Sequence, residues 1–204
     1  MDSLDYSFKT DLYNEYFPKL EDLLKEYHND KKNITVGNRI NLSADGSRLK
    51  SMTLGIRGAP GLASKRKDKS LNPHLTLHTQ TPKGFEIYKL IYTIISLVFP
   101  NFEFNSIIVN YNSNFKIHKD IKNIYEDSVI FTIGDHEDGK LIIYDDNKIE
   151  IDKLYIDKYP IKFAGKSIFH STEKFTGTRY CIVAYQTKPK YHFCPFEKEI
   201  HKLD

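Results

Sequence analysis

The sequence predicts an α+β chain that is mainly β, with two helices set against a barrel or sandwich of short strands. Three observations carry this. Apolar residues recur at helical spacing near the N-terminus, and a second apolar run, Phe85 to Phe99, is long for a strand. From residue 104 onward, short β-branched runs alternate with Gly, Asn and Asp turns. Hydrophobic residues at 40%, with 14 tyrosines and 13 phenylalanines, suffice for a proper core in 204 residues. A single domain is expected over 1–204, with an N-terminal helical extension over 1–35.

Thr10 to His28 is expected to be an amphipathic helix, because Leu12, Tyr16, Leu20, Leu23, Leu24 and Tyr27 fall on one face. Val36 to Leu42 and Arg48 to Ile56 are expected as two strands around the turn Ala44-Asp45-Gly46. Residues 58–73 are rich in Gly, Pro, Ser and Lys and carry the run Lys65-Arg66-Lys67-Asp68-Lys69, which predicts a solvated loop or a cationic lid. His74 and His78 are expected to be structural. Phe85 to Phe99 is expected as a buried helix ended by Pro100, and Phe104 to Asn112 as a strand. Val129 to Ile133 and Leu141 to Tyr144 are expected to pair around the turn at 135–139. Further strands are expected at 148–156, 161–163, 167–170 and 179–187.

Composition excludes several classes. No apolar run is long enough to cross a bilayer, and the acidic, polar start of the chain does not read as a signal peptide. Two cysteines, Cys181 and Cys194, make no disulfide framework, so an intracellular compartment, cytoplasmic or nuclear, is expected. A net charge of +3 neither requires nor forbids a polyanionic partner.

The chemistry concentrates in Asn110 to Asp120. His118 and Asp120 lie two residues apart, so on an extended segment they face the same side and form a claw for a divalent ion. His170 ends a later β-type run, and Arg179 follows nine residues on. Two histidines and one carboxylate make the facial triad of non-heme Fe(II) oxygenases. A hairpin centred near Lys174 would bring positions 170 and 179 opposite each other, letting the guanidinium reach past the metal to a carboxylate. Asn110 and Asn112 alternate on one strand and could both face the cavity.

These residues resemble the Fe(II)/2-oxoglutarate dioxygenase superfamily, whose pattern is H-x-D, a distant His, then Arg or Lys. The run from His118 to Tyr144 looks most like the TET/JBP-type base hydroxylases and their viral and algal relatives: Asn123, Ser128, Gly134-Asp135 and Gly139-Lys140-Leu141 match, with Lys140 where a second glycine is expected. The resemblance covers roughly 100–187 and implies a double-stranded β-helix (jelly-roll, cupin-like) core there. It implies Fe(II) held by His118, Asp120 and His170, with O2 and 2-oxoglutarate as co-substrates. Arg179 would hold the far carboxylate of 2-oxoglutarate, with Asn110, Asn112, Ser128 and Thr178 as further contacts and Asn123 bracing the metal loop. Relatives often carry Ser two residues beyond the arginine; here it is Cys181. The implied activity is hydroxylation of a C–H bond with release of succinate and CO2. The motif favours a nucleic-acid base as substrate. A protein side chain or free amino acid is the alternative, and an inactive barrel used as a binding module is the third reading.

Overall fold

In the computed structural model, which describes residues 12–30, 35–36, 40–56 and 75–188, the strands sort into one large and one small antiparallel sheet with a separate two-stranded ribbon. The large sheet contains β1 (Thr35–Val36), β2 (Lys50–Gly55), β3 (Ser106–Tyr111), β4 (Ser128–Ile133), β8 (Ile161–Phe163) and β11 (Tyr180–Tyr185). Its order is β1-β2-β3-β11-β4-β8. The small sheet contains β6 (Leu141–Tyr144), β7 (Glu150–Leu154) and β9 (Phe169–Thr172), ordered β7-β6-β9, and a bridge between His118 and His170 extends it by one segment. The ribbon pairs β5 (His136–Asp138) with β10 (Phe175–Gly177). From β3 onward the chain passes back and forth between the two sheets, the small-sheet hairpin β6–β7 excepted. That is a double-stranded β-helix, or jelly roll.

Two helices cover the outer face of the large sheet: α1 (Phe17–Asn29), which follows a π-helical turn at Leu12–Tyr16, and α2 (Pro82–Val98). α2 starts where Thr81 Oγ1 accepts a hydrogen bond from the Gly84 amide and Pro82 supplies a preset φ. One apolar cluster fills the space between helices and sheet, with Phe17, Leu24, Ile91, Ile107, Phe131 and Ile182 at its centre. A second lies inside the roll, where Ile130, Cys181 and Val183 of the large sheet meet Leu141 and Ile143 of the small one. β4 is therefore buried at all six positions and reads as a continuous apolar run instead of an alternation. Among the described residues no helix is long and apolar enough to cross a membrane.

Several local expectations differ from what the chain does. Of the strand expected over 36–42, Val36 lies in β1, Ile40–Leu42 form a 3-10 turn, and 37–39 lie outside the described residues. β4 and β6 do not pair with each other: β4 joins β11 and β8, whereas β6 joins β7 and β9. The residues between them form β5 and find a partner in β10. The basic run at 65–69, His74, Cys194 and the C-terminal stretch beyond 188 lie outside the described residues.

Candidate metal centre and anion pocket

His118 and His170 face each other in a narrow antiparallel bridge: each backbone N–H donates to the other's carbonyl at 2.9 Å. This puts both imidazoles on one side of the small sheet, with ring centroids 4.3 Å apart. Each ring is oriented by its own strand. His118 Nδ1 donates to the Lys116 carbonyl at 2.8 Å, and His170 Nδ1 donates to the Ile168 carbonyl at 3.0 Å. A carbonyl only accepts, so the Nδ1 atoms carry the protons and the Nε2 lone pairs point onward. They point at Asp120, whose carboxylate oxygens lie 3.7 Å from His118 Nε2 and 3.8 Å from His170 Nε2.

The ligand atoms of His118, Asp120 and His170 all lie within 4.8 Å of one another. Burial lowers the His170 pKa, and His118 adds to that, so at neutral pH the ring is uncharged. Two ring nitrogens and a carboxylate thus converge on one point. That electron-rich arrangement fits a divalent cation, and the nitrogen-and-oxygen donor set suits Fe(II). The loop carrying Asp120 is braced from behind. Its amide donates to the Gly165 carbonyl at 2.9 Å, the Asn123 amide donates to the Asp120 carbonyl at 3.0 Å, and Asn123 Nδ2 donates to Ser128 Oγ at 3.1 Å.

Arg179 does not lie opposite His170 in a hairpin. The chain after β9 turns into β10, so His170 belongs to the small sheet while Arg179 leads into β11 of the large one. The guanidinium reaches the interior from the facing wall. It is 2% exposed, Nη2 donates to the Gly139 carbonyl at 2.8 Å, and Nε has no hydrogen-bond partner. Burial draws its pKa down from the ordinary value, opposed by Cys181 and Asp157, yet arginine stays charged. No carboxylate forms an ion pair with it among the described residues. Asp157 acts on it only from beyond ion-pair distance, and a buried charge without a close partner costs several kcal/mol, so this pocket suits an anion. Gly139 makes the approach possible: at φ +84°, a Cβ there would stand 2.7 Å from Arg179 Nε.

Beside the guanidinium runs a row of polar side chains. Asn110 on β3 lies opposite Cys181 on β11, which lies opposite Thr132 on β4, so all three face the interior. Asn110 Oδ1 and Thr132 Oγ1 are buried and unpaired. Thr132 was not among the residues expected from sequence. Its signal was a hydroxyl on the same face as Ser128 and Ile130 in the run SVIFTI.

The other expected contacts are placed elsewhere. Asn112, at φ +43°, accepts the Arg179 amide on Oδ1 at 2.7 Å and so fixes the arginine's backbone. Ser128 is engaged by Asn123. The Thr178 amide donates to the Asp135 carbonyl at 2.7 Å, and Thr178 has the parity of Tyr180 and Ile182, which pack on the helices. His78 Nδ1 pairs with the Tyr27 hydroxyl at 2.8 Å, a structural contact.

No family model matches the chain, and no curated protein matches it in sequence. Among solved structures, the chain is similar to one described as OsALKBH1, at 16% identity and a TM-score of 0.47, over 85% of this chain and 92% of that one. It is also similar to an oxidoreductase of the 2OG-Fe(II) oxygenase family from Burkholderia pseudomallei, at 13% identity and a TM-score of 0.49, over 74% of each chain. A Pseudomonas putida prolyl-4-hydroxylase is similar at 11% identity and a TM-score of 0.48, over 89% of this chain and 98% of that one.

Proposed function

We propose that the protein is an Fe(II)- and 2-oxoglutarate-dependent oxygenase that hydroxylates a C–H bond. One observation carries the reading: two imidazoles and a carboxylate converge in the same roll that buries an arginine with no ion pair among the described residues. His118, Asp120 and His170 would hold the iron. When bound, iron supplies the coupling of O2 reduction to oxidation of 2-oxoglutarate into succinate and CO2, with one oxygen atom delivered to the substrate.

The protein's own residues do the rest. The Nδ1 bonds to Lys116 and Ile168 hold both histidines in the tautomer a metal needs. Arg179 accepts the far carboxylate of 2-oxoglutarate, and Asn110 and Thr132 offer polar atoms along the way. Ile130, Leu141, Ile143 and Val183 keep water from the interior. The motif running from His118 to Tyr144 favours a nucleic-acid base as substrate, with a protein side chain or free amino acid as the alternative.

The test is anaerobic titration with Fe(II), followed by succinate formation on a panel of oligonucleotides, peptides and amino acids. The expected result is one Fe(II) per chain and succinate that disappears in His118→Ala. Absence of both from the folded protein would leave the inactive-barrel reading.

A further inference from the structure

The C-terminal end of α2 and the loop that follows Asp120 enclose a groove of about 670 Å³, lined by Phe99, Phe102, Glu103, Tyr125, Glu126 and Asp127 among others. The groove lies on the helix side of the large sheet, since Asp127 shares the parity of Val129 and Lys162 alternates with the inward Phe163. Residues 120–127 run directly from Asp120 to its wall, strapped to the turn after β8: the Asp120 amide donates to the Gly165 carbonyl, and the Lys166 amide donates to the Glu126 carbonyl at 3.3 Å. Lys166 Nζ donates to the Ile124 carbonyl at 2.9 Å on the same strap.

Its chemistry is opposite to that of the whole molecule. The chain carries a net +3, yet three carboxylates, Glu103, Glu126 and Asp127, gather here. The only lysine of the lining, Lys162, is already paired with Asp127 at 3.3 Å. Glu103 and Glu126 have no ion-pair partner among the described residues. α2 adds to the same sign: its C-terminal end opens here and has no basic residue in the last turn, so its partial negative charge is not offset. Phe99, Phe102 and Tyr125 are in its lining, and Tyr125 is 51% exposed. Carboxylates, a helix C-terminus and aromatic side chains together select for ammonium and guanidinium groups.

We infer that this groove docks a basic polypeptide segment, whose Lys or Arg side chains pair with Glu103 and Glu126 and lie on Tyr125. The affinity of the groove for a basic segment does not rest on the oxygenase reading. Phosphates would be repelled from the same surface, which sets this occupant against a nucleic acid.

The experiment is fluorescence anisotropy of a labelled Lys/Arg-rich peptide on the full chain, against a Glu-rich peptide and an oligothymidylate of equal length. Glu103→Lys/Glu126→Lys is the groove variant, and Glu150→Lys, on the exposed β7, is the control. The expected result is salt-sensitive binding of the basic peptide alone, weakened at least about tenfold in the groove variant and unchanged in the control. His118→Ala should bind the peptide like the native chain while forming no succinate, which separates failure of the iron reading from failure of the groove. Equal peptide binding by native and groove variants would overturn the inference. So would oligothymidylate binding with the native groove, or a dimer of this chain that the groove variant dissolves. Tyr125→Ala, which alters no charge, is expected to weaken peptide binding several-fold; no change there removes the aromatic contribution.

Discussion

Gly139→Ala tests the anion pocket without replacing any residue that would meet metal or co-substrate. A Cβ at position 139 would lie 2.7 Å from Arg179 Nε, 3.0 Å from Cδ and 3.1 Å from the Phe175 Cβ. Ordinary contact begins near 3.4 Å, so the guanidinium stem must retreat by about 0.7 Å. The Nη2 bond to the Gly139 carbonyl, now 2.8 Å, would stretch out of range. A hydrogen bond from a charged group contributes about 1.5–3 kcal/mol, and each 1.4 kcal/mol is a factor of about ten, so 2-oxoglutarate should bind at least about tenfold more weakly. The substitution also forces a side chain into φ +84°, which costs about 1–2 kcal/mol of stability. Gly46→Ala isolates that second cost: its φ is +75° and a Cβ there meets nothing within 4 Å. Calorimetry of 2-oxoglutarate on the anaerobic Fe(II) protein gives the affinity, and thermal unfolding gives the strain. Both variants should lose a few degrees in Tm, at about 2–4 °C per kcal/mol for a chain of this length, and only Gly139→Ala should lose affinity. If Gly139→Ala binds 2-oxoglutarate like Gly46→Ala, Arg179 is not the anchor and the pocket reading fails.

Other outcomes follow from the same geometry. Asp120→Ala should abolish the rise in Tm that Fe(II) gives the native protein while leaving the metal-free Tm within a degree or two, since the carboxylate makes no bond nearer than its long approaches to the two histidines; a persistent Fe(II) shift would exclude it as a ligand. Thr132→Val replaces a buried, unpaired hydroxyl by a methyl group, so stability should hold or rise while 2-oxoglutarate affinity falls about three- to tenfold; unchanged affinity on calorimetry would remove Thr132 from the pocket. Burial holds the pKa of both His28 and His78 below the ordinary value. The unfolded chain therefore takes up protons first as pH falls through about 6.5, so stability is fully present above that pH and declines below it, through the folded pKa values. Urea midpoints at pH 7.5 and 5.5 should show the decline, and His28→Phe, which keeps a ring against Tyr111, should reduce it.

What was legible in the sequence was whatever has a local cause. The repeat of Leu20, Leu24 and Tyr27 marks α1, and the run ending at Pro100 marks α2, although its start at Pro82 was set by the Thr81 cap, outside the apolar stretch. His118 and Asp120 needed only the period of an extended segment. Partner choice was not legible. β4 and β6 each look like half of a hairpin, and nothing local says that the roll sends them to opposite sheets. The 170–179 turn misled for the same reason: its polar residues do form a turn, but the strand that follows closes the other wall. Asn112 shows a second limit, because an asparagine beside a cavity and one at φ +43° holding a backbone amide look alike in sequence. Thr132 was hidden by its neighbours, since a strand apolar on both faces conceals which side a lone hydroxyl takes.

The two walls explain why the ligands had to come from so far apart in the chain. His170 lies opposite Ile143 on β6, whereas the guanidinium of Arg179 is tied to Gly139, four residues earlier on the same segment. An extended chain rises about 3.3 Å per residue, so the lone-pair cluster and the buried cation are anchored roughly 13 Å apart along the small sheet. Because Gly139 lies outside β6, at φ +84°, that figure is an upper limit on the separation. Between the two ends lie the unpaired atoms of Asn110 and Thr132, and the walls around them are aliphatic. A cavity with a metal-seeking end and a cationic end cannot be made by one hairpin, whose facing side chains sit only about 5 Å apart. It takes two sheets that share no strands. A monocarboxylate would leave one end unsatisfied and a longer diacid would not fit between them. Measured affinities should therefore peak at one chain length in a series of 2-oxo diacids, and a flat series would mean that Arg179 and the triad do not grip the same molecule.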